Sequence, residues 1–244
     1  MKLSSIRNRI IAALFMLFVW WVLSLAYPPL IIPDISAVAE KLVQIISDKD
    51  TTKEAGRTLV RLLAGLFFGM ATGGAAGYVC GVCKTCRELF KPVLGVLQVV
   101  PPVALLVLAI IWFGFNGKPA VVIAAVSVFP ITAITVQEAI LHIDRKLVEM
   151  GKVFKYTKKQ QLFLITWPSI KPRFYSGLRI ALGTASKTVV MGEVLTTSTG
   201  IGGQIVTARL NIEPETIIAW TVISVCMYYL LDATVNLLFP SRRT

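Results

Sequence analysis

Long uncharged blocks of apolar residues alternate with short charged segments along the chain. Four blocks approach or exceed the roughly 20 residues that a helix needs to cross a hydrocarbon layer of about 30 Å: residues 10–27, 62–82, 92–115 and 119–137. Two further blocks, residues 174–198 and 216–240, carry a few ionisable side chains. The pattern predicts an all-α integral membrane protein with six transmembrane helices.

The six predicted spans form one domain over residues 1–244. Their approximate bounds are 10–27, 60–82, 92–115, 119–138, 174–198 and 216–240. The first block is longer than the apolar core of a typical signal peptide, and residues 26–29 (AYPP) make a poor cleavage site. We therefore expect it to remain as the first span.

Composition and charge agree with a membrane protein. Charged residues make up only 16% of the chain, against about 25% in soluble domains. With the N-terminus inside, 16 basic residues fall in cytoplasmic segments and six in external ones. This asymmetry predicts cytoplasmic N- and C-termini in a bacterial-type plasma membrane. The positive charge of the cytoplasmic segments accounts for the net charge of +12. Nucleic-acid binding is not expected, because it would require a basic face on a soluble fold.

Two patterns concern the first half of the chain. Residues 35–46 form an amphipathic helix that Asp34 or Ser36 could cap, and Asp48–Glu54 is expected to be a polar external linker. Five glycines follow at a strict spacing of four, which predicts a groove where a neighbouring helix packs backbone to backbone: Gly65, Gly69, Gly73, Gly77 and Gly81.

Pro101 and Pro102 interrupt the third span near its middle. Two consecutive prolines remove two amide donors and break or kink a helix. In transporters such breaks often line the pathway, although a kink for packing is an equal alternative.

Cys80, Cys83 and Cys86 lie at the cytoplasmic end of the second span. A zinc or iron–sulfur site would need a fourth ligand, and Cys226 falls in the outer half of another span. We predict neither a metal nor a disulfide there, and no cofactor.

The segment between spans four and five, residues 143–173, is polar yet regular. Leu147, Met150, Val153 and Phe154 keep helical spacing, and Thr157 can cap a second helical turn that Pro168 would end. Two short helices joined by a bend suit a cytoplasmic docking element.

This segment resembles the loop of binding-protein-dependent ABC permeases, which reads E-A-A, three residues, G, nine residues, I, one residue, L-P. Glu149, Ile165 and Pro168 match it in register, whereas Met150-Gly151, Lys155 and Trp167 depart from it. Further stretches are similar to the taurine, sulfonate and nitrate group: Leu147–Met150, Trp112–Gly114, Phe129–Ile131 and Gly200–Gly202.

The resemblance implies a type I importer permease whose loop couples it to the ATPase. The implied coupling residues are Glu149, Met150, Gly151, Lys155, Thr157, Ile165 and Pro168. The implied partners are two cytoplasmic ATP-binding subunits, a second permease copy and an external solute-binding protein. If the bend needs a left-handed backbone, Lys155 costs about 1–2 kcal/mol relative to glycine.

Ionisable groups within spans are functional candidates by default. Arg179 and Asp232 have similar depth near the inner end, which favours a structural ion pair. Glu193 could hydrogen-bond the loop after it or contact solute. Lys187 lies about 20 Å along its helix from Phe174, near the middle of the bilayer. It is on the same side of that helix as Ser186. A carboxylate partner for Lys187 is slightly favoured over contact with an anionic solute.

Pro101, Pro102, Ser186, Lys187 and Glu193 are therefore the candidate pathway residues. The chain has no Walker-type phosphate loop and no catalytic or metal constellation, so it is expected to be a transport subunit and not an enzyme. A sulfonate-, taurine-, nitrate- or bicarbonate-like solute is favoured, with a heterocyclic vitamin precursor as the alternative. A gradient-driven transporter or channel is the rival class.

Overall fold

A computed structural model describes residues 2–238, apart from the side chains of residues 2–6, 9, 13 and 145. The described residues form helices and connecting turns. The helices are α1 Lys2–Ala26, α2 Ile35–Ser47, α3 Lys49–Val82, α4 Lys84–Val99, α5 Pro102–Phe113, α6 Lys118–Leu141, α7 Arg145–Val153, α8 Lys158–Gln161, α9 Trp167–Thr196, α10 Gly200–Leu210 and α11 Pro214–Leu238, with a π-helical turn at Leu162–Thr166 between α8 and α9.

The start of α3 differs from the prediction. Asp48–Glu54 is not a linker, because α3 begins at Lys49. The Asp48 carboxylate accepts hydrogen bonds from the Asp50 and Thr51 amides, which stabilises a helix start at this point. The amphipathic helix α2 is confirmed, with Asp34 at the N-cap position but without a side-chain cap hydrogen bond.

The glycine ladder of α3 packs against α6, as its spacing predicted. A Cβ added at Gly69 would lie 2.7 Å from the Ala125 carbonyl oxygen, and one at Gly73 would lie 2.5 Å from that of Phe129. Such distances leave no room for a side chain, so the two backbones are in direct contact. The contacts advance in the same direction along both helices, and α3 and α6 therefore run parallel.

The helix α9 packs on α6 in the opposite direction. A Cβ at Gly177 would lie 2.6 Å from the Thr135 side chain, and one at Gly192 would lie 2.7 Å from the Ala120 Cα. The resulting core joins α3, α6 and α9 through Leu62, Leu66, Ala124, Val128, Ala181, Leu182, Ala185 and Val189. Three helices thus form the rigid centre of the domain.

Val100 and Pro101 lie between α4 and α5, which begins at Pro102, and the two helices meet at an angle of 94°. The predicted helix break at Pro101 and Pro102 is therefore confirmed. The next helix, α6, begins beside the N-terminal half of α3, since a Cβ at Gly117 would lie 2.7 Å from the Arg61 guanidinium. Because α3 and α6 are parallel, α4 and α5 together return the chain to the end of the domain at which α3 begins.

Among the described residues, three helices are long and apolar enough to cross a membrane, and four if α4 and α5 count as one span. These three are α3, α6 and α11. The polar side chains of α9 lower its hydropathy, although it lies along α6. Six spans remain a prediction, and the end of the sixth at residue 240, with Arg242 and Arg243 beyond it, lies outside the described residues.

A second core forms where α2 and α10 pack on α11. It contains Val38, Ile45, Ile201, Ala219 and Trp220, all nearly inaccessible to solvent. At the other end of α3, Arg87 donates hydrogen bonds to the Cys80 and Gly81 carbonyls at 2.9 and 2.8 Å. These bonds fix the turn that holds the three cysteines, which are free thiols.

Candidate functional site

The bend between α7 and α8 is a left-handed turn centred on Lys155, whose φ is +52°. The Tyr156 amide donates to the Gly151 carbonyl at 2.9 Å, and the Lys155 amide donates to the Lys152 carbonyl at 3.0 Å. This pair of bonds is a Schellman motif, which usually places glycine at the left-handed position. The family glycine is thus replaced by lysine without a change in the expected backbone conformation, at a cost of about 1–2 kcal/mol.

The start of α8 is fixed by a capping box. The Thr157 hydroxyl accepts a hydrogen bond from the Gln160 amide at 3.3 Å, and the Gln160 side chain accepts one from the Thr157 amide at 2.8 Å. The cap predicted for Thr157 is therefore present. It sets the point at which the chain leaves the bend and enters a helix.

Pro168 does not end the second helix, contrary to the prediction. The backbone continues from α8 through the π-helical turn into α9, and Pro168 lies in the first turn of α9. A proline lacks an amide donor and clashes with the carbonyl four residues earlier, and the wider π turn precedes it directly. The second part of the loop and α9 are therefore one continuous helical rod, from Lys158 to Thr196.

Gly151 and Ile165 join α7 to this rod. Ile165 is 3% exposed, and a Cβ added at Gly151 would lie 2.7 Å from its Cδ1 atom. Glycine replaces the second alanine of the family pattern at this position, so the larger isoleucine can approach the α7 backbone. The contact fixes the angle between the two short helices.

One face of α7 is apolar and exposed. Met150 is 40% exposed, Val153 79% and Phe154 66%, and Glu149 is exposed beside them. Exposed apolar side chains concentrated on one short helix indicate a protein contact surface. We refer to Glu149, Met150, Val153 and Phe154 as the docking face.

A groove between α9 and α11 contains Lys187. Two adjoining cavities of about 570 and 500 Å³ form it, and both are lined by Gly183, Lys187 and Tyr228. Ser186, Thr221 and Ser224 line the larger one. Among the described residues, Lys187 has no carboxylate partner, so the ion pair that the sequence favoured is absent. The two intramembrane carboxylates that the sequence analysis considered, Glu193 and Asp232, are bound to arginines.

Glu193 lies outside this groove and is completely buried. Arg61 donates to Glu193 Oε1 at 2.6 Å, Thr58 donates to Oε2 at 2.8 Å, and the Gly202 amide donates to Oε2 at 3.0 Å. Of the two roles considered for Glu193, the structure shows the hydrogen bond to the following loop. We refer to Thr58, Arg61, Glu193 and the start of α10 as the outer latch, after the external side of the membrane on which the sequence predicts it to lie.

Further hydrogen bonds extend the outer latch. Arg61 also donates to the Thr199 carbonyl at 3.0 Å, and the Gly200 amide donates to Glu54 Oε2 at 2.6 Å. Gly200 has a φ of +88°, a conformation that favours glycine. The latch thus ties α3, α9 and α10 together near the N-terminal end of α3.

At the opposite end, Arg179 and Asp232 form the ion pair that the sequence predicted. The guanidinium contacts the carboxylate in bidentate geometry, with Nε–Oδ1 at 2.6 Å and Nη2–Oδ2 at 2.7 Å. Arg179 also lines the smaller cavity of the groove. This pair joins α9 to α11 below Lys187.

The remaining candidates are placed as follows. Ser186 lies next to Lys187 and is 6% exposed, whereas Pro101 and Pro102 are exposed and do not line the groove. The α11 wall of the groove is not among the residues predicted from the sequence. Its signal is the polar spacing i, i+3, i+7 at Thr221, Ser224 and Tyr228, which places three hydroxyls on one face of a helix.

The described residues contain no group of three or more His, Cys, Asp or Glu side chains that could hold a metal ion. A helical membrane domain with a polar groove, and with an exposed apolar face on a short helix outside its core, agrees with a transport subunit. The model of the family described as "Binding-protein-dependent transport system inner membrane component" matches residues 65–244. The chain belongs to this family, whose members are transport components.

Curated relatives support the subgroup. The chain is 24% identical to the taurine transport system permease protein TauC of Escherichia coli, covering 89% of this chain and 82% of TauC. It is 29% identical to the putative aliphatic sulfonates transport permease protein SsuC of Bacillus subtilis, with 74% and 66% coverage. It is 30% identical to the riboflavin transport system permease protein RibX of Chloroflexus aurantiacus, with 80% and 74% coverage. The resemblance to the taurine and sulfonate group is confirmed.

Solved structures share the fold. A chain of the inward-facing MetNI methionine ABC transporter superposes with a TM-score of 0.70 at 19% identity, covering 79% of this chain and 96% of that one. A chain of a bacterial ABC transporter that imports alginate gives a TM-score of 0.69 at 16% identity, with full coverage of both. The fold is therefore that of a type I ABC importer permease.

Proposed function

We propose that this chain forms the translocation pathway of an ATP-driven importer for a small anionic solute. Two copies of the chain, two cytoplasmic ATP-binding subunits and an external solute-binding protein make up the complex. The observation that carries the proposal is the docking face, which leads through the capped bend into the continuous rod of α8 and α9. An exposed loop built in this way has a contact surface and a direct mechanical connection to the groove.

The coupling mechanism follows from the backbone. An ATP-binding subunit holds the docking face on α7, and the Gly151–Ile165 contact transmits its displacement to the rod. The rod carries Lys187, so movement at the cytoplasmic surface reorients the groove. Pro101 and Pro102 break the third span and supply a point where that span can adjust.

The charge of the groove supports an anionic solute. Lys187 is an exposed cation without a carboxylate partner among the described residues. Two relatives are named for the transport of taurine and of aliphatic sulfonates, and these solutes carry an anionic sulfonate group. The alternative is a small heterocyclic vitamin precursor, which the riboflavin relative favours. A gradient-driven transporter or channel would need no ATPase.

Copurification of an ATPase tests the proposal. The chain, tagged and extracted in mild detergent from its native host, should bring down an ATP-binding subunit. Glu149→Lys reverses the charge at the docking face and should reduce the recovered ATPase by about tenfold, with the chain still inserted.

Glu88→Lys is the matched control, because Glu88 is an exposed carboxylate on α4, a different helix from the one that carries the docking face. It should leave the recovery unchanged. Two results would show that the docking assignment is wrong. One is that no ATP-binding subunit copurifies with the wild-type chain, and the other is that Glu149→Lys recovers as much of that subunit as the wild type.

A further inference from the structure

The groove between α9 and α11 presents hydrogen-bond donors without acceptors to match them. Lys187 supplies an ammonium group, and Ser186, Ser224 and Tyr228 supply hydroxyls. Within the described part of the chain, none of these four side chains makes a hydrogen bond or an ion pair. No acidic residue lines either cavity. A cation surrounded by free donors is the environment in which an oxyanion is stabilised.

The depth of the groove makes this excess of donors significant. Lys187 lies between Gly177 and Gly192, which both pack on α6, so it is within the membrane layer. A lysine at this depth is costly when it faces hydrocarbon. Its groove must therefore be covered by water or by protein, and a bound anion supplies the charge that the chain does not.

The hydroxyls differ in their availability. Thr221 already donates to the Ile217 carbonyl at 2.9 Å, and its oxygen is left only as an acceptor. Ser186, Ser224 and Tyr228 keep their protons for a ligand. The larger cavity, about 570 Å³, is within the range of about 300–1,000 Å³ for small-molecule pockets.

We propose that Lys187, Ser186, Ser224 and Tyr228 form a binding site for the oxyanion headgroup of a small sulfonate or carboxylate. The proposal rests on the proposed function and extends it by naming the site within the permease itself and the chemical group that it takes. The Lys187 ammonium attracts the headgroup, and hydroxyls from both helices orient its oxygens. An anion bound here would join α9 to α11 above the Arg179–Asp232 pair.

Fluorine NMR with trifluoromethanesulfonate tests the site. The full chain, in nanodiscs, should broaden the fluorine resonance of this sulfonate, and ethanesulfonate should restore the narrow line. Propionate should compete if the site takes carboxylates as well. Lys187→Gln should weaken the binding about tenfold or more, because a charged hydrogen bond is lost. Lys187→Arg should largely retain it.

Lys171→Gln is the matched control, since Lys171 lies on the same helix near the Tyr175 ring and outside the groove. It should bind like the wild type. Ser224→Ala and Tyr228→Phe should each weaken binding severalfold, and they keep the test decisive if Lys187→Gln fails to fold.

Three results would overturn the site: no broadening with the wild type, equal broadening with Lys187→Gln, or displacement by chloride as efficient as by ethanesulfonate. The amount of ATP-binding subunit recovered is measured in the same preparations. This measurement distinguishes a failure of the oxyanion site from a failure of the proposed ATP-driven function. Sulfonate binding without any ATPase would leave the site in place and refute ATP-driven transport.

Discussion

Lys155 shows how a single residue can keep a backbone conformation that its side chain disfavours. Its left-handed φ is imposed by the Schellman bonds on one side and the Thr157 capping box on the other. Both features satisfy amides and carbonyls that a helix end would otherwise leave without partners. The bend is therefore determined by its flanking caps, and glycine is not required.

Replacing Lys155 with glycine should stabilise the bend. Lys155→Gly removes the left-handed penalty, which we expect to raise local stability by about 1 kcal/mol. Hydrogen exchange at the Tyr156 amide, which donates to the Gly151 carbonyl, should slow by about fivefold.

Lys152→Gly is the control for this exchange measurement. Lys152 lies within α7, where glycine costs about 1 kcal/mol, so exchange should become faster. The same response in both variants would mean that the conformation of Lys155 is not strained.

The residues of the outer latch mark the limit of sequence reasoning. Glu193 was recognised as an unusual charge, and hydrogen bonding to the loop after it was one of two open roles. Its partners Thr58 and Arg61 are more than 130 residues away in the chain. No local periodicity reports such a pairing. The missing partner of Lys187 was equally unpredictable. Only the structure shows that the carboxylates of Glu193 and Asp232 are bound to arginines.

At the scale of helices, the glycine ladder was fully readable from the sequence. A spacing of four predicts one continuous groove, and the structure places α6 in it. Helix boundaries were less readable, as Asp48–Glu54 and Pro168 show. At Asp48 a polar cap starts a helix where composition suggests a linker, and before Pro168 a π turn lets a helix continue where composition suggests an end.

Gly73→Leu should prevent assembly of the helical core. A leucine there would overlap the Phe129 carbonyl, which lies 2.5 Å from the position of the added Cβ. Overpacking of this kind typically costs about 1–3 kcal/mol or more. We expect a lower yield of monodisperse protein and a lower midpoint of thermal unfolding.

The adjacent Gly74 provides the control, because an added Cβ would meet nothing within 4 Å. Gly74→Leu should leave the yield and the midpoint close to those of the wild type. Equal damage from both substitutions would indicate a general loss of helix flexibility and would contradict the packing argument.

For the whole molecule, α11 is held to the core at both ends. The second core fixes its N-terminal half, and the bidentate Arg179–Asp232 pair fixes its C-terminal half. The Arg179 side chain is 49% exposed and that of Asp232 is 11% exposed. Its contribution should therefore lie between those of surface and buried pairs, on the order of 1–3 kcal/mol.

A charge swap tests this connection. Arg179→Asp and Asp232→Arg should each lower the thermal midpoint, because like charges then face each other. The double variant should recover part of the loss by restoring an ion pair with opposite polarity. Additive losses in the double variant would show that the two side chains stabilise the fold separately.

The continuous rod from Lys158 to Thr196 has a further consequence. Its 39 residues correspond to a length of about 58 Å at a rise of about 1.5 Å per residue, nearly twice the hydrocarbon thickness of about 30 Å. A rod of this length acts as a lever: a rotation of roughly 6° about its centre displaces each end by about 3 Å. Displacements of that size exceed the slack of a hydrogen bond. A tilt too small to repack the contact of Gly177 with α6, which lies at the centre of the rod, can therefore break or make polar contacts at both ends of the rod.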